Sequence, residues 1–214
     1  MKPDATRAFV HRFVPSTAIP PSPLTLLMLH GTGGDEDDLL PLGKSLDGNA
    51  ALLSPRGRVL ENGAPRFFRR LAEGVFDLPD LHRRTDELAE FIQASIEAYA
   101  IDPGRIVAVG YSNGANIAAS LLLTHPAVLA GAILFRPMVP FEPEQPPTLS
   151  HIPILICGGN RDPIATPAQT SRLATLLRSG GAQVDVSHEL AGHELMQGDI
   201  VKARQWLALH WPTA

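Results

Sequence analysis

Short, wholly apolar runs punctuate the chain and alternate with segments whose apolar residues recur at helical spacing. Leu26-Leu27-Met28-Leu29, Ile106-Val107-Ala108-Val109 and Ile154-Leu155-Ile156-Cys157 read as strands buried on both faces. They anchor strands expected near 25–29, 105–110 and 153–158, and others are expected near 50–54, 129–135 and 182–189. Phe9, His11 and Phe13 suggest an edge strand before the proline-rich stretch from Pro15 to Pro23. Leu81, Leu88, Ile92, Ile96 and Tyr99 fall on one face of a helix whose other face carries Arg84, Glu87, Glu90 and Glu97, and Asp102-Pro103-Gly104 is expected to end it. Strands alternating with helices predict right-handed crossovers and a mostly parallel sheet of about seven strands, covered by helices on both faces. A site on such a sheet lies at the carboxyl ends of its strands. No repeat, boundary or low-complexity run interrupts the pattern, so one α/β domain over residues 1–214 is expected, without a separate lid domain.

Chemistry is concentrated where these strands end. Gly110-Tyr111-Ser112-Asn113-Gly114 follows an apolar strand and opens the small-residue stretch Ala115 to Ser120, the arrangement of a nucleophile elbow. The sharp turn projects Ser112 Oγ outward, and glycines at 110 and 114 leave room where a Cβ would clash. Read instead as a serine N-cap, the segment leaves both glycines unexplained. A serine hydroxyl needs a base to take its proton and an acid to orient that base. In an α/β-hydrolase both follow the serine, acid first, on loops after later strands. Asp162, in Gly159-Asn160-Arg161-Asp162-Pro163 after the strand that ends at Cys157, is the candidate acid, with Asp185 as its rival. His193, in Ala191-Gly192-His193-Glu194 after the last strand, is the candidate base; among the eight histidines, His188, His125 and His82 occupy a strand, a helix end and a charged helix. An oxyanion needs two fixed backbone donors. Asn113 is the first, and Thr32 in His30-Gly31-Thr32-Gly33-Gly34 is the second, with His30 bracing that loop. A phosphate-binding loop is excluded there, because no Gly-Lys-Ser/Thr follows.

These residues resemble the phospholipase/carboxylesterase family of α/β-hydrolases, which includes acyl-protein thioesterase-like enzymes. The likeness is closest to a bacterial esterase subgroup, through His30-Gly31-Thr32-Gly33-Gly34-Asp35-Glu36, Ser54-Pro55-Arg56-Gly57, Arg66-Phe67-Phe68-Arg69-Arg70, Gly110 to Asn116, Arg136-Pro137-Met138 and Ala191-Gly192-His193. Asn113 and Ala115 replace the Gln and Gly usual in the thioesterase-like members, and Arg136-Pro137 replaces their Ser-Gly segment. The resemblance therefore implies the triad but no particular substrate.

Composition narrows the setting. A net charge of −4 gives no basic field for nucleic acid. The lone Cys157 lies in an apolar strand and reads as a buried, inert thiol, which argues against a cysteine nucleophile. Met1 to Pro23 lacks the apolar core of a signal peptide, so a cytoplasmic setting is expected. The uncharged stretch between Arg105 and Arg136 is broken by glycines, asparagines and a proline, and no membrane span is expected.

Two segments are expected to shape the pocket. Ser54 to Pro79 supplies Phe67 and Phe68 as an aromatic wall and five arginines against three acids. Those arginines read either as recognition of an anionic or carbonyl-rich substrate or as surface salt bridges. Arg136 to Ser150 is stiffened by prolines 137, 140, 143, 146 and 147, and offers Met138, Val139 and Phe141 to an acyl or aryl group. The expected activity is hydrolysis of carboxylic esters, thioesters included, on small molecules or acyl carriers, with no metal or organic cofactor. A ligand-binding protein of this fold without turnover and a serine peptidase are the alternatives; the oligomeric state, a homodimer included, is left open.

Overall fold

The computed structural model describes residues 5–212 except Pro21 and Pro146. Met1 to Asp4 of the expected leaderless N-terminus, Pro21 of the proline-rich stretch and Pro146 of the stiffened loop thus lie outside the described residues. In chain order the strands are β1 (His11–Val14), β2 (Thr25–Leu29), β3 (Ala51–Pro55), β4 (Val59–Glu61), β5 (Ala64–Arg66), β6 (Arg70–Ala72), β7 (Val75–Phe76), β8 (Ile106–Tyr111), β9 (Gly131–Phe135), β10 (Pro153–Gly159) and β11 (Gln183–Glu189). The helices are α1 (Leu40–Leu46), α2 (Leu78–Tyr99), α3 (Asn113–Thr124), α4 (Pro167–Ser179) and α5 (Gln197–His210).

Seven strands form one sheet in the order β1-β3-β2-β8-β9-β10-β11. All neighbours pair in parallel except β1, which runs antiparallel to β3 at the edge. Alternation along each central strand assigns side chains to two apolar layers. Leu27, Leu29, Ala108, Leu134 and Ile156 pack with α2, α3 and α4, whereas Leu26, Met28, Val109, Ile133 and Leu155 pack with Leu46 of α1 and Trp206 and Leu207 of α5. Burial on both faces explains the uninterrupted apolar runs of these strands.

Helix α2 starts earlier than its periodicity implies, because the Asp77 side chain accepts the Asp80 N–H at the N-terminus and Pro79 tolerates the first turn. It also ends earlier than Asp102-Pro103-Gly104: Ala100 adopts a left-handed conformation at the C-terminus, and Asp102 instead caps a short 3₁₀ turn. The segment from Ser54 to Pro79 is more regular than expected. It contains two hairpins, β4–β5 and β6–β7. Asn62-Gly63 forms the first turn with φ of 53° and 84°, the conformation that favours Asn-Gly in a two-residue loop. This hairpin stands over the carboxyl ends of β2 and β8, since Gly33 N–H bonds the Pro65 carbonyl and Phe67 N–H bonds Asn113 Oδ1.

Candidate active site

Ser112 sits between the end of β8 and the start of α3 with φ 52° and ψ −111°, a backbone conformation that costs a non-glycine residue about 1–3 kcal/mol. The surroundings hold it there. Its N–H bonds the carbonyl of Phe135 at 2.9 Å, and its own carbonyl accepts Asn116 N–H at 2.9 Å. A Cβ on Gly110 would come within 2.6 Å of the Gly114 carbonyl oxygen; one on Gly114 would come within 2.6 Å of the His30 carbonyl and closer still to that of Leu29. Gly110 thus lets the start of α3 fold back onto β8, and Gly114 lets the turn press against the end of β2. The serine makes no side-chain cap bond to α3, which disposes of the N-cap reading.

Its hydroxyl instead faces a histidine. His193 Nε2 lies 2.9 Å from Ser112 Oγ, and His193 Nδ1 lies 2.7 Å from Asp162 Oδ2. A carboxylate can only accept, so Nδ1 carries a proton toward Asp162 and the Nε2 lone pair is left for the serine hydroxyl. Asp162 is buried, and its other oxygen accepts the N–H groups of Ile164 and Ala165 at 2.8 and 2.9 Å. The rival Asp185 accepts from Trp206 Nε1 at 2.9 Å. The other histidines in question have separate partners: His188 bonds Thr170, His125 bonds Asp86, and His82 packs edge-on to Phe141. His30 does brace its loop. It bonds the Gly31 carbonyl through Nδ1 and accepts Gly57 N–H through Nε2, and burial lowers its pKa.

The loop carrying His193 rests on a residue that sequence reading placed at the pocket rim. Arg136 is fully buried in a left-handed conformation with φ 53°. Its Nε donates to the Gly192 carbonyl at 3.2 Å and Nη2 to the Glu194 carbonyl at 2.7 Å, bracketing His193 on both sides. Nη1 and Nη2 also bond the two oxygens of buried Asp199 at 3.0 and 2.6 Å, and Nη1 bonds the Cys157 carbonyl. Burial works against the Arg136 charge, yet the bonds to Asp199 outweigh it and raise the guanidinium above its ordinary range. Tyr111 adds a second hold, donating its hydroxyl to the His193 carbonyl at 3.0 Å. The only sequence signal for Arg136 was its departure from the Ser-Gly of thioesterase-like relatives.

A pocket of about 210 Å³ opens beside Ser112, lined by residues that include Thr32, Asn113, Met138, Ile164 and His193. Thr32 and Asn113 thus meet at the same cavity as the serine and histidine. The aromatic wall, however, is built from Phe76 and Tyr111. Phe67 and Phe68 correct the expectation: both are buried in the core, Phe67 against the His30 ring and Phe68 edge-on to Phe76. The clip between Phe67 N–H and Asn113 turns that stretch inward, where two phenyl rings are stabilised by burial. Val139 and Phe141 likewise pack against the core, leaving Met138 as the member of its segment in the pocket. The arginines divide. Arg56 pairs with Glu36, Arg58 with Glu87 and Arg69 with Asp77, whereas Arg66 and Arg70 line the pocket. Cys157 is buried, and burial raises its thiol pKa, as suits an inert side chain. Among the described residues, no cluster of His, Cys, Asp or Glu forms a metal site, and no helix is long and apolar enough to cross a membrane.

A mostly parallel seven-stranded sheet with a strained serine turn after a central strand defines an α/β-hydrolase. The chain belongs to the phospholipase/carboxylesterase family, which it matches over residues 75–211. It is 51% identical over 181 residues to MhqD of Bacillus subtilis, a protein named as a hydrolase, covering 85% of this chain and 90% of that one. Its fold is similar to the carboxylesterase of Bacillus cereus, with a TM-score of 0.89, 47% identity and 92% of each chain covered. A carboxylesterase from Mesorhizobium loti is similar at TM-score 0.87 and 32% identity, over 94% of this chain and 95% of that one. The chain is a carboxylesterase-type hydrolase.

Proposed function

We propose that this hydrolase cleaves carboxylic esters, and thioesters by the same route, through an acyl-enzyme on Ser112. The hydroxyl attacks the acyl carbon while its proton passes to His193 Nε2, and Asp162 holds the imidazolium that forms. Negative charge on the carbonyl oxygen is met by the backbone N–H groups of Thr32 and Asn113. As the tetrahedral intermediate collapses, His193 returns the proton to the departing alcohol or thiol. Water then attacks the acyl carbon with the same histidine as base, and free acid leaves.

The observation that carries this reading is the unbroken line Ser112 Oγ, His193, Asp162 at 2.9 and 2.7 Å, ending on a serine in a strained turn. Thr32 and Asn113 support it by lining the same small cavity, and Met138 with Phe76 offers an apolar side for an acyl or aryl group. Ser112→Ala is expected to cut kcat/KM for a short-chain 4-nitrophenyl ester by about 10⁵ or more, with the fold retained. Near-normal turnover in that folded variant would refute the assignment.

A further inference from the structure

The pocket beside Ser112 carries positive charge that the hydrolysis of a neutral ester does not use. Arg66 and Arg70 line it, and among the described residues no Asp or Glu does. One carboxylate answers both guanidinium groups: Glu61 lies 2.7 Å from Arg70 Nη2 and 3.4 Å from Arg66 Nε. The second approach lacks hydrogen-bond geometry, and Glu61 Oε2 is left without a hydrogen-bond partner. Two cations therefore share one anion at the rim. The more buried of them, Arg66, is 3% exposed and donates from Nη1 to Thr32 Oγ1 at 2.5 Å, beside the proposed oxyanion donor. Burial, with the nearby Arg70 acting in the same sense and Glu61 opposing, holds its pKa below the ordinary guanidinium range, as expected of an incompletely compensated cation.

A second observation points the same way. Asn113 also lines the pocket, its Oδ1 is committed to Phe67 N–H, and its Nδ2 is buried without a partner. An amide N–H buried in that condition is destabilising until an acceptor reaches it. The pocket wall thus carries two guanidinium groups and an unsatisfied amide donor, and what complements all three is a compact group rich in acceptors and negatively charged.

We propose that the preferred substrates of this esterase are small esters that carry a carboxylate, recognised by Arg70 and Arg66 at the rim of the Ser112 pocket. This rests on the serine hydrolase reading above. Arg66 also positions Thr32 through its side-chain hydroxyl, so Arg70 is the residue whose replacement isolates the recognition.

The test compares matched esters. On the acyl side, mono-4-nitrophenyl adipate is set against 4-nitrophenyl hexanoate; on the leaving-group side, 4-carboxyphenyl acetate is set against 4-carbamoylphenyl acetate. One of these pairs is expected to show kcat/KM about tenfold or more higher for the carboxylate, and the pair that does so locates the charge on the acyl or the alcohol half. Arg70→Gln is expected to collapse that ratio toward one, Arg70→Lys to retain most of it, and added salt to shrink it. Equal turnover of charged and neutral esters, or a ratio untouched by Arg70→Gln, would overturn the proposal while leaving the hydrolase reading standing. Failure of all four esters, together with no labelling of Ser112 by a fluorophosphonate, would overturn both.

Discussion

The two halves of the triad are held by different physics. On the nucleophile side, Ser112 is fixed by steric necessity: Gly110 and Gly114 admit backbone where a Cβ could not stand, and two backbone hydrogen bonds close the turn. On the base side, the residues flanking His193 are tied to each other by a hydrogen bond from Gly192 N–H to Glu194 Oε1 at 3.1 Å. The His193 loop hangs on the buried pair of Arg136 and Asp199, joined by Tyr111. The steric constraint is marked by glycines beside the serine, although Gly114 presses on Leu29 and His30 far away in the chain, whereas the buried ion pair joins residues 63 positions apart with no mark beside His193. A buried guanidinium whose N–H groups are all engaged is a stiff strut, but an expensive one to disturb.

The largest stability effect should therefore come from the base side. Arg136→Met leaves Asp199 buried and unpaired, and urea unfolding is expected to report a loss of about 3–5 kcal/mol. Replacing Asp199 by Leu as well should recover much of that stability. It should not restore labelling of Ser112 by a fluorophosphonate, because the carbonyls of Gly192 and Glu194 still lack their donor. Recovery of both stability and reactivity in the double variant would show that Arg136 is structural filler and not a brace for His193.

On the nucleophile side, Gly114→Ala forces a methyl group into the backbone of Leu29 and His30. The expected cost is about 1–3 kcal/mol or more, and the Ser112 turn should be displaced with it. Denaturant unfolding and phosphonate labelling of the same sample check both. An alanine variant of normal stability and reactivity would remove the steric half of the contrast.

The smallest effect tests the oxyanion loop that spans the two sides. Burial holds the pKa of His30 below its ordinary 6.5. The folded state thus binds this proton less readily than the unfolded chain, so the stabilisation is full above the ordinary value and is lost as pH falls from there through the folded value. Melting temperatures measured from about pH 8 to about pH 5.5 should decline at the acid end, less steeply in His30→Gln than in the natural chain. Parallel declines would mean that His30 does not titrate with unfolding.

What could be read from the chain follows the same division. The loops that carry Ser112, Asp162 and His193 could be placed from the sequence because each follows an expected strand of the sheet, where topology alone brings loops together. The parallel sheet was legible for a related reason, since runs such as Leu26 to Leu29 alternate between two buried layers. Asn62-Gly63 is itself a two-residue hairpin signal for the β4–β5 arm, whereas the β6–β7 hairpin has no such pair at its turn. The inward turn of Phe67 and Phe68 was not legible, because an aromatic pair suits a pocket wall and a core equally well, and the choice is made by a hydrogen bond to Asn113 from 46 positions away. Nor was the role of Arg136. A lone arginine at the head of a proline-rich, pocket-shaping segment carries no local sign that Asp199 and the His193 loop close around it.

The central claim is that the Ser112 hydroxyl, activated by His193, is the atom that takes up the acyl group. Its most direct measurement is intact-protein and peptide mass spectrometry of the folded chain after exposure to a fluorophosphonate. The account predicts one adduct, on the peptide containing Ser112, absent from Ser112→Ala. An unmodified protein, or an adduct on another residue that persists in Ser112→Ala, would contradict it.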